Sequence, residues 1–484
     1  MNKTRLPVRG ASLFLALLPT VTPAAAANDS MSVARPISAV IEDYVRLGSE
    51  SSLTLENQRL QAEQSEMALR AAQARLRPEV SINSRYTVNS GGREITAPID
   101  ELLNPAYQTL NQLLVSMGQP ARFSMLTPSG FPLLRAREQD THLSLRQPLY
   151  APGLLDGIEA NRAAAEAAQL GSVAALRTQR RDITHAYLIT QKARAASLIV
   201  AGSVNILQEN LRINESLYAN GKITQDAVLR ARAELLSATQ QRIEADQGRD
   251  QAQRALNLLL NRPLESVVED AAPGDDATLM ALLNDEIDSA NTVVERARRT
   301  RPELQQLRRA TESAEAQLRA AQSRRGPTVA LGVDTGVQGE NFGTGPRYNY
   351  LSGSLLLEWT IFDGGARSAS IASARLAARQ TDNLRQLAEQ KIEMEARAAL
   401  DAALAARESL AAAQARAAAA SAAFRIASRK RDEGASTQIE FLDARNALTT
   451  AELNLAWTRL DLIERRADLQ FAAGSGTELL GAAP

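Results

Sequence analysis

There is no cysteine among the 484 residues, which excludes disulfides, thiol catalysis and a lipid-modified cysteine at a mature N-terminus. Any attachment to a membrane therefore has to come from the fold itself. A surplus of one charge is missing too: 55 basic residues face 55 acidic ones, interspersed along the chain. A nucleic-acid binder would carry a basic surplus or stripe, so no nucleic-acid partner is expected. Only two histidines occur, His142 and His185, with no metal-ligand spacing and no nucleophile motif beside them. The expectation is no enzyme, no metal and no cofactor. Aromatics are scarce at 4%, whereas alanine is abundant, which suits long, closely packed helices better than one large globular core. Beyond residue 27 no run approaches the roughly 18 uninterrupted apolar residues that mark a membrane-spanning helix.

The chain does carry an export signal and a repeat. Residues 1–27 begin with Lys3, Arg5 and Arg9, continue through an apolar run to Leu18, and end in Ala24-Ala25-Ala26-Ala27, the three parts of a cleaved signal peptide. Further on, Gly221, Thr224-Gln225, Leu229, Ala231-Arg232 and Leu235 return at the same offsets as Gly434, Thr437-Gln438, Leu442, Ala444-Arg445 and Leu448. Each copy lies between long Ala/Leu/Arg/Glu-rich segments. A glycine there stops one helix and the threonine caps the next, so each copy is the tip of a helical hairpin.

A second landmark is the run from Leu69 to Val80, which returns from Leu318 to Val329 with eight of twelve positions identical. After its proline the apolar period changes from 3.6 to 2. Val80, Ile82, Tyr86 and Val88 alternate with polar residues, as do Val329, Leu331, Val333 and Val337. Return strands follow, with Leu143, Leu145 and Leu149 on one face in the first half and Leu355, Leu357, Trp359 and Ile361 in the second. About ten alternating residues is the length of a tilted membrane-spanning strand. Val80, Ile82, Leu355, Leu357 and Trp359 are the expected lipid-facing residues, and aromatics gather near the strand ends.

The domain reading is a signal peptide 1–27, a first repeat 28–261, an acidic connector 262–291, a second repeat 292–473 and a tail 474–484. The first repeat holds a helix, strand 79–89, a long loop 90–139 with a short helix near Leu102 to Leu114, strand 141–150, then a long and a shorter helix. The second holds a helix, strand 327–338, strand 348–362 and the same two helices. Each long helix of about 67 residues would run roughly 100 Å. In the final helix Phe441, Leu448, Leu455, Leu462 and Leu469 repeat every seven residues, a coiled-coil spacing. The helix before each first strand is expected as one unbroken segment, for example from Ile37 to Arg77.

Four strands cannot close a barrel, and an open edge in lipid leaves backbone groups unpaired at several kcal/mol each. Copies of the chain must pool their strands. Two copies make eight, a barrel whose interior side chains fill; three make twelve and an open lumen, so a homotrimeric conduit is expected.

In its doubled helix–strand–strand–helix–helix order, its Leu-Arg-Pro-Glu-Val strand entry, its Trp-Thr-Ile-Phe-Asp-Gly-Gly exit and its Gly-x-x-Thr tips, the chain resembles the TolC family of outer-membrane efflux proteins over essentially all of its mature length. The resemblance implies an α+β membrane protein: a trimeric 12-stranded β-barrel with four strands per chain, continued by a long α-helical coiled-coil periplasmic barrel. It implies an outer-membrane exit duct working with a periplasmic adaptor (membrane fusion) protein and an inner-membrane ABC or RND-type transporter, in type I protein secretion or multidrug efflux. The missing lipidated cysteine tilts the choice toward secretion. By resemblance Gly221, Thr224, Gln225, Gly434, Thr437 and Gln438 are adaptor-contacting tip residues, and Glu440, Asp443 and Asp226 form a periplasmic gate that selects cations. Read from residues alone, Glu440 and Asp443 also fit a solvated pair favourable to a helix dipole. Asp226 is one position out of register with the family, and Ser436 stands where an arginine often locks the closed state. The alternative is an exported coiled-coil adaptor or stalk without a pore; fractionation separates them, since a channel needs detergent for release.

Overall fold

The computed structural model describes residues 35–271, 281–283, 285–340, 342–433, 435 and 437–475. The expected signal peptide 1–27, Gly434 and Ser436 of the second tip, connector residues 272–280 and 284, and tail residues 476–484 lie outside the described residues.

In chain order the first half holds helices α1 (Ile37–Ser51) and α2 (Leu53–Ala74), then strands β1 (Glu79–Val88) and β2 (Glu94–Ala97). Helix α3 (Ile99–Ser116) and strands β3 (Ser129–Pro132) and β4 (Arg137–Tyr150) follow, then helices α4 (Pro152–Ala219) and α5 (Gln225–Leu259). The second half repeats the plan: α6 (Ala290–Thr300), α7 (Pro302–Ser323), β5 (Thr328–Gly339), β6 (Asn349–Glu358), α8 (Ala366–Asp432) and α9 (Gln438–Ala472). The long helices α4 and α8 have 68 and 67 residues, as expected. The 90–139 segment is more than a loop with a helix, because β2 and β3 pair into a small hairpin of their own.

The helix before each first strand is two helices, not one. Ser52 is extended between α1 and α2, and its hydroxyl accepts the Leu55 N–H at 3.4 Å. Arg301 is extended between α6 and α7 because the ring of Pro302 disfavours helical backbone in the residue before it. Both breaks receive the end of a tip helix. Ser51 Oγ donates to the Leu260 carbonyl at 2.7 Å, and Asn261 Nδ2 donates to the Ser51 carbonyl at 3.1 Å. In the second half Thr300 Oγ1 donates to the Ala473 carbonyl at 3.5 Å. Each long helix is thus flanked by a column of two, α5 with α2 and α9 with α7.

The displaced short helices α1 and α6 close two belts of core around these junctions. In one, Val40 and Ile41 of α1 meet Ile183, Tyr187 and Leu188 of α4, Leu256 of α5, Leu410 of α8 and Leu462 of α9. In the other, Val293 and Val294 of α6 meet Leu304 of α7, Ile392 and Leu400 of α8 and Leu469 of α9. Each such side chain contributes about 1.5–3 kcal/mol through removal from water. The connector takes part: Val268 and Leu282 are buried in the first belt, and Asp285 pairs with the buried guanidinium of Arg466. Of the final helix's heptad, Phe441, Leu448, Leu462 and Leu469 are buried.

The main sheet has the order β1-β4-β5-β6, all antiparallel, so that β4 of the first half joins β5 of the second. Opposed residues share a face in such a ladder. The register places Ile82, Leu143, Thr335 and Leu351 in one row, and Val80, Leu145, Val333 and Gly353 in the next. The opposite face carries Asn83, His142, Gly336 and Tyr350 in a row. The alternation read from the sequence therefore becomes a mainly apolar face, broken by polar residues such as Ser84, Thr141, Gln139 and Gln147, and a polar face on which Leu356 is the exception.

Gly336 has a more specific role than keeping the polar face small. A Cβ there would lie 2.3 Å from the Thr141 carbonyl oxygen and 2.6 Å from His142 Cα, both backbone atoms of β4. At Gly332, two positions along the same face, a Cβ would meet its nearest neighbour, Leu356 Cδ1, at an ordinary 3.5 Å. Gly336→Ala is expected to push β4 from β5 at a cost of about 1–3 kcal/mol or more and to cut the yield of folded protein, with Gly332→Ala close to wild type. Protease resistance of the purified variants measures this; equal resistance would contradict the close-approach account.

Candidate functional site

The residues singled out from the sequence lie at the two ends of the long helices. At the first tip α4 stops in a Schellman arrangement: the Lys222 N–H donates to the Leu217 carbonyl and the Gly221 N–H to the Tyr218 carbonyl, both at 2.9 Å. Gly221 has φ +67°, a conformation that a side chain disfavours. In the second tip the Ala435 N–H donates to the Lys430 carbonyl at 2.7 Å, the same reach back over the helix end.

The two threonines differ. Thr437 caps α9 through a capping box, its hydroxyl accepting the Glu440 N–H at 3.2 Å while Glu440 Oε2 accepts the Thr437 N–H at 3.3 Å. Thr224 is extended at the equivalent place, but its side chain caps no backbone N–H. Its hydroxyl donates instead to the Asp226 carboxylate. That bond, opposed by slight desolvation and helped by local backbone N–H groups and by Arg230, holds the Asp226 carboxyl below its ordinary pKa. Asp226 thus stays charged in mildly acidic medium. Of the three acidic residues, Asp226 is engaged within its own tip and Glu440 with its helix cap, and all three, Asp443 included, are solvent-exposed. Gln225 is exposed as well, and Gln438 is half-buried.

A polar seam that sequence reasoning missed joins the two hairpins just behind the tips. Arg431 of α8 donates to Asn210 Oδ1 of α4 at 2.7 Å, and Asn214 Nδ2 lies 3.4 Å from Gln438 Oε1 of α9. The Arg431 guanidinium sits 4.1 Å from the Phe441 ring centroid, and Phe424 and Phe441 pack with centroids 5.6 Å apart. Arg445 is buried over Phe424, 3.9 Å from Glu452. The nitrogens Asn210 Nδ2, Gln438 Nε2 and Arg445 Nε are buried with no hydrogen-bond partner, so the seam is less well satisfied than the apolar belts. The available signal was two asparagines four apart in an otherwise helix-favouring run.

At the other end, Val80, Ile82, Leu355 and Leu357 are exposed on the apolar face. Trp359 is not on a strand. The ladder ends at the Thr328–Glu358 pair because β5 starts there, after Gly326-Pro327, and offers no partner farther on. Trp359 instead donates its indole N–H to the Arg325 carbonyl at 3.0 Å. The two histidines make polar contacts: His142 Nδ1 lies 3.0 Å from Asp140, and His185 Nε2 lies 2.8 Å from Asp468. Among the described residues no group of His, Cys, Asp and Glu is arranged to hold a metal ion, and no helix is long and apolar enough to cross a membrane.

The contrast between the tips gives a paired test. Thr437→Ala is expected to cost roughly 0.5–2 kcal/mol of local helix stability and to speed exchange of the Glu440 amide. Thr224→Ala removes no backbone cap and should leave the first-turn amides of α5 near wild type. Amide hydrogen exchange reads both; equal acceleration at the two tips would contradict the assignment.

Compared by sequence with curated proteins, the chain has no match. Among solved structures it is similar to CusC, at 16% identity and a TM-score of 0.74, covering 92% of this chain and 94% of that one. It is similar to the Campylobacter jejuni CmeC outer membrane channel, at 16% identity and a TM-score of 0.74, covering 91% and 86%. The open-state Neisseria gonorrhoeae MtrE outer membrane channel gives 18%, a TM-score of 0.71, and 90% and 89%. These likenesses establish a shared fold. The family model described as outer membrane efflux protein matches residues 133–262 and 293–475, most of both repeats. The chain belongs to the outer membrane efflux protein family.

Proposed function

We propose that three copies of this chain form a passive exit duct through the outer membrane, a 12-stranded barrel continued by a periplasmic helical tube. The observation that carries this reading is the alignment of two unfinished flanks. β1 and β6 are the open edges of the sheet. Below β1 run α2 and α5, and below β6 runs α8, with α4 and the α7–α9 column between them. Each flank also exposes apolar residues along its helices: Leu53, Leu60 and Met67 on α2, Leu229, Leu236 and Ile243 on α5, and Leu376, Leu387 and Met394 on α8. The α2 and α5 sets recur every seven residues, the spacing of a coiled-coil seam. Pairing one flank with the opposite flank of the next copy is a head-to-tail contact that closes as a ring. It satisfies both strand edges and covers both helical faces at once.

In that ring the apolar sheet face, with Val80, Ile82, Leu355 and Leu357, meets lipid, and the polar face lines the lumen. The tips, about 100 Å away along the long helices, meet a periplasmic adaptor through Gly221, Thr224, Gln225, Gly434, Thr437 and Gln438. An inner-membrane transporter of the ABC or RND type supplies cargo and energy. Glu440 and Asp443, joined by Asp226, ring the periplasmic mouth with carboxylates that admit cations and repel anions.

Glu440→Gln with Asp443→Asn tests the mouth. Glutamine also completes a capping box, so the fold and the assembly should persist while the ring charge is lost. Conductance across planar bilayers is expected to lose cation selectivity and to lose block by trivalent cations added at the periplasmic side. An assembled variant that keeps wild-type selectivity and block would mean these carboxylates serve only the helix start.

A further inference from the structure

The segment between β1 and β4 lies at the end of the sheet away from the tips, and its first 44 residues, 89–132, precede the family match, which begins at residue 133. Within it α3 buries no residue. One flank of α3 is tied to its own chain. Asn104 exchanges hydrogen bonds with the backbone of Leu126 at 2.8 and 3.0 Å. Asn111 does the same with Arg122 and Phe123 at 2.6–3.0 Å, and Tyr107 stacks on Phe123. Beside that flank runs an open apolar line: Ile99, Leu103, Ala106, Leu110, Leu113 and Met117. Its spacing of four, three, four, three, four is the heptad period of a coiled-coil seam. Leu113 and Met117 are more than half exposed, at 52% and 75%.

We infer that this seam packs against the same seam of the neighbouring copies, so that the three α3 helices form a short parallel bundle at the outer end of the duct. The inference rests on the trimer proposed above. Three observations favour a second copy over lipid as the occupant. An interfacial helix that lies on a membrane carries Lys or Arg on its polar face, and between Arg93 and Arg122 this chain has no Lys, Arg or His, only Glu94, Asp100 and Glu101 as charges. The seam is in heptad register, which fits another helix, with the exposed Leu102 and the half-buried Leu114 on its shoulders. The segment grows from β1, an edge strand that in a ring lies against the next copy. At 18 residues α3 is too short to hold a bundle in isolation. Tethering to a common barrel raises the effective concentration of the three helices and removes that objection. Rotational symmetry about the barrel axis makes the helices parallel and sets equal residues side by side.

The absence of cysteine makes the test clean. In the otherwise cysteine-free full chain, Leu113→Cys places a thiol on the seam, and Gln108→Cys places one on the exposed face away from it. Mild oxidation of the assembled protein in detergent and in lipid vesicles should join Leu113→Cys chains in pairs at least about tenfold faster than Gln108→Cys chains, since only side-by-side Cβ atoms meet disulfide geometry. Adding Leu110→Glu to the Leu113→Cys chain should abolish the difference. Native mass measured on the same samples separates the two levels. A trimer in which the two cysteines react equally, or neither reacts, overturns the bundle and leaves the duct standing; a monomer overturns the duct itself. A spin label at position 113 relaxed by a lipid-soluble agent, in an intact trimer, would place the seam in the bilayer and overturn the inference as well.

Discussion

The hydrogen-bonding groups along β1 and β6 are the constraint on which the rest of the architecture turns. In water an open strand edge is tolerable; in hydrocarbon each unpaired N–H or C=O costs several kcal/mol. Four strands with one apolar and one polar face cannot satisfy that condition alone. The helical half has the same incompleteness, because the flank that carries each open edge also carries exposed leucines. Sheet and helices ask for the same neighbour on the same side. That agreement between two kinds of structure is stronger than either feature alone.

The buried belts explain how one chain can be long and still hold together. A pair of helices near 100 Å long has few long-range contacts per residue, and stability would be spread thinly along it. The short helices α1 and α6 fold back at the junctions and concentrate the large apolar side chains there. Toward the tips the packing changes character. Alanine dominates α8, and the contact between hairpins passes through Arg431, Asn210, Asn214 and Gln438, with the buried side-chain nitrogens of Asn210 and Gln438 lacking partners. A chain built this way is firmest at its middle and least well satisfied toward its tips, the end at which the proposed duct would open.

Much of this was legible in the sequence where a local signal had a single physical meaning. The change of apolar period after Pro78 and Pro327 located the sheet, and the repeated glycine–threonine spacing located both tips. Of the heptad Phe441, Leu448, Leu455, Leu462 and Leu469, all are buried but Leu455, which is half-buried. What escaped depended mainly on remote partners. The break at Ser52 lies inside a helical pattern whose period continues across it and receives the end of α5 from more than 200 residues away, whereas the break at Arg301 has a local signal in Pro302 that the continuing period masked. Trp359 continues the alternation of β6, yet the strand ends where β5 has no residue to pair with it. Gly336 reads as a small lumen residue and is instead required by the backbone of His142. Among the tip residues, Glu440 was open to two readings, gate and helix start. The capping box establishes the second and leaves the first to conductance.

The central claim is that the chain is complete only as a ring of three. Native mass measurement of the protein extracted in mild detergent tests it most directly. The account predicts one species with the mass of three chains, collapsing to single chains only when heating unfolds the strands. A stable, folded single chain in bilayers, with its strand edges unpaired, would contradict it.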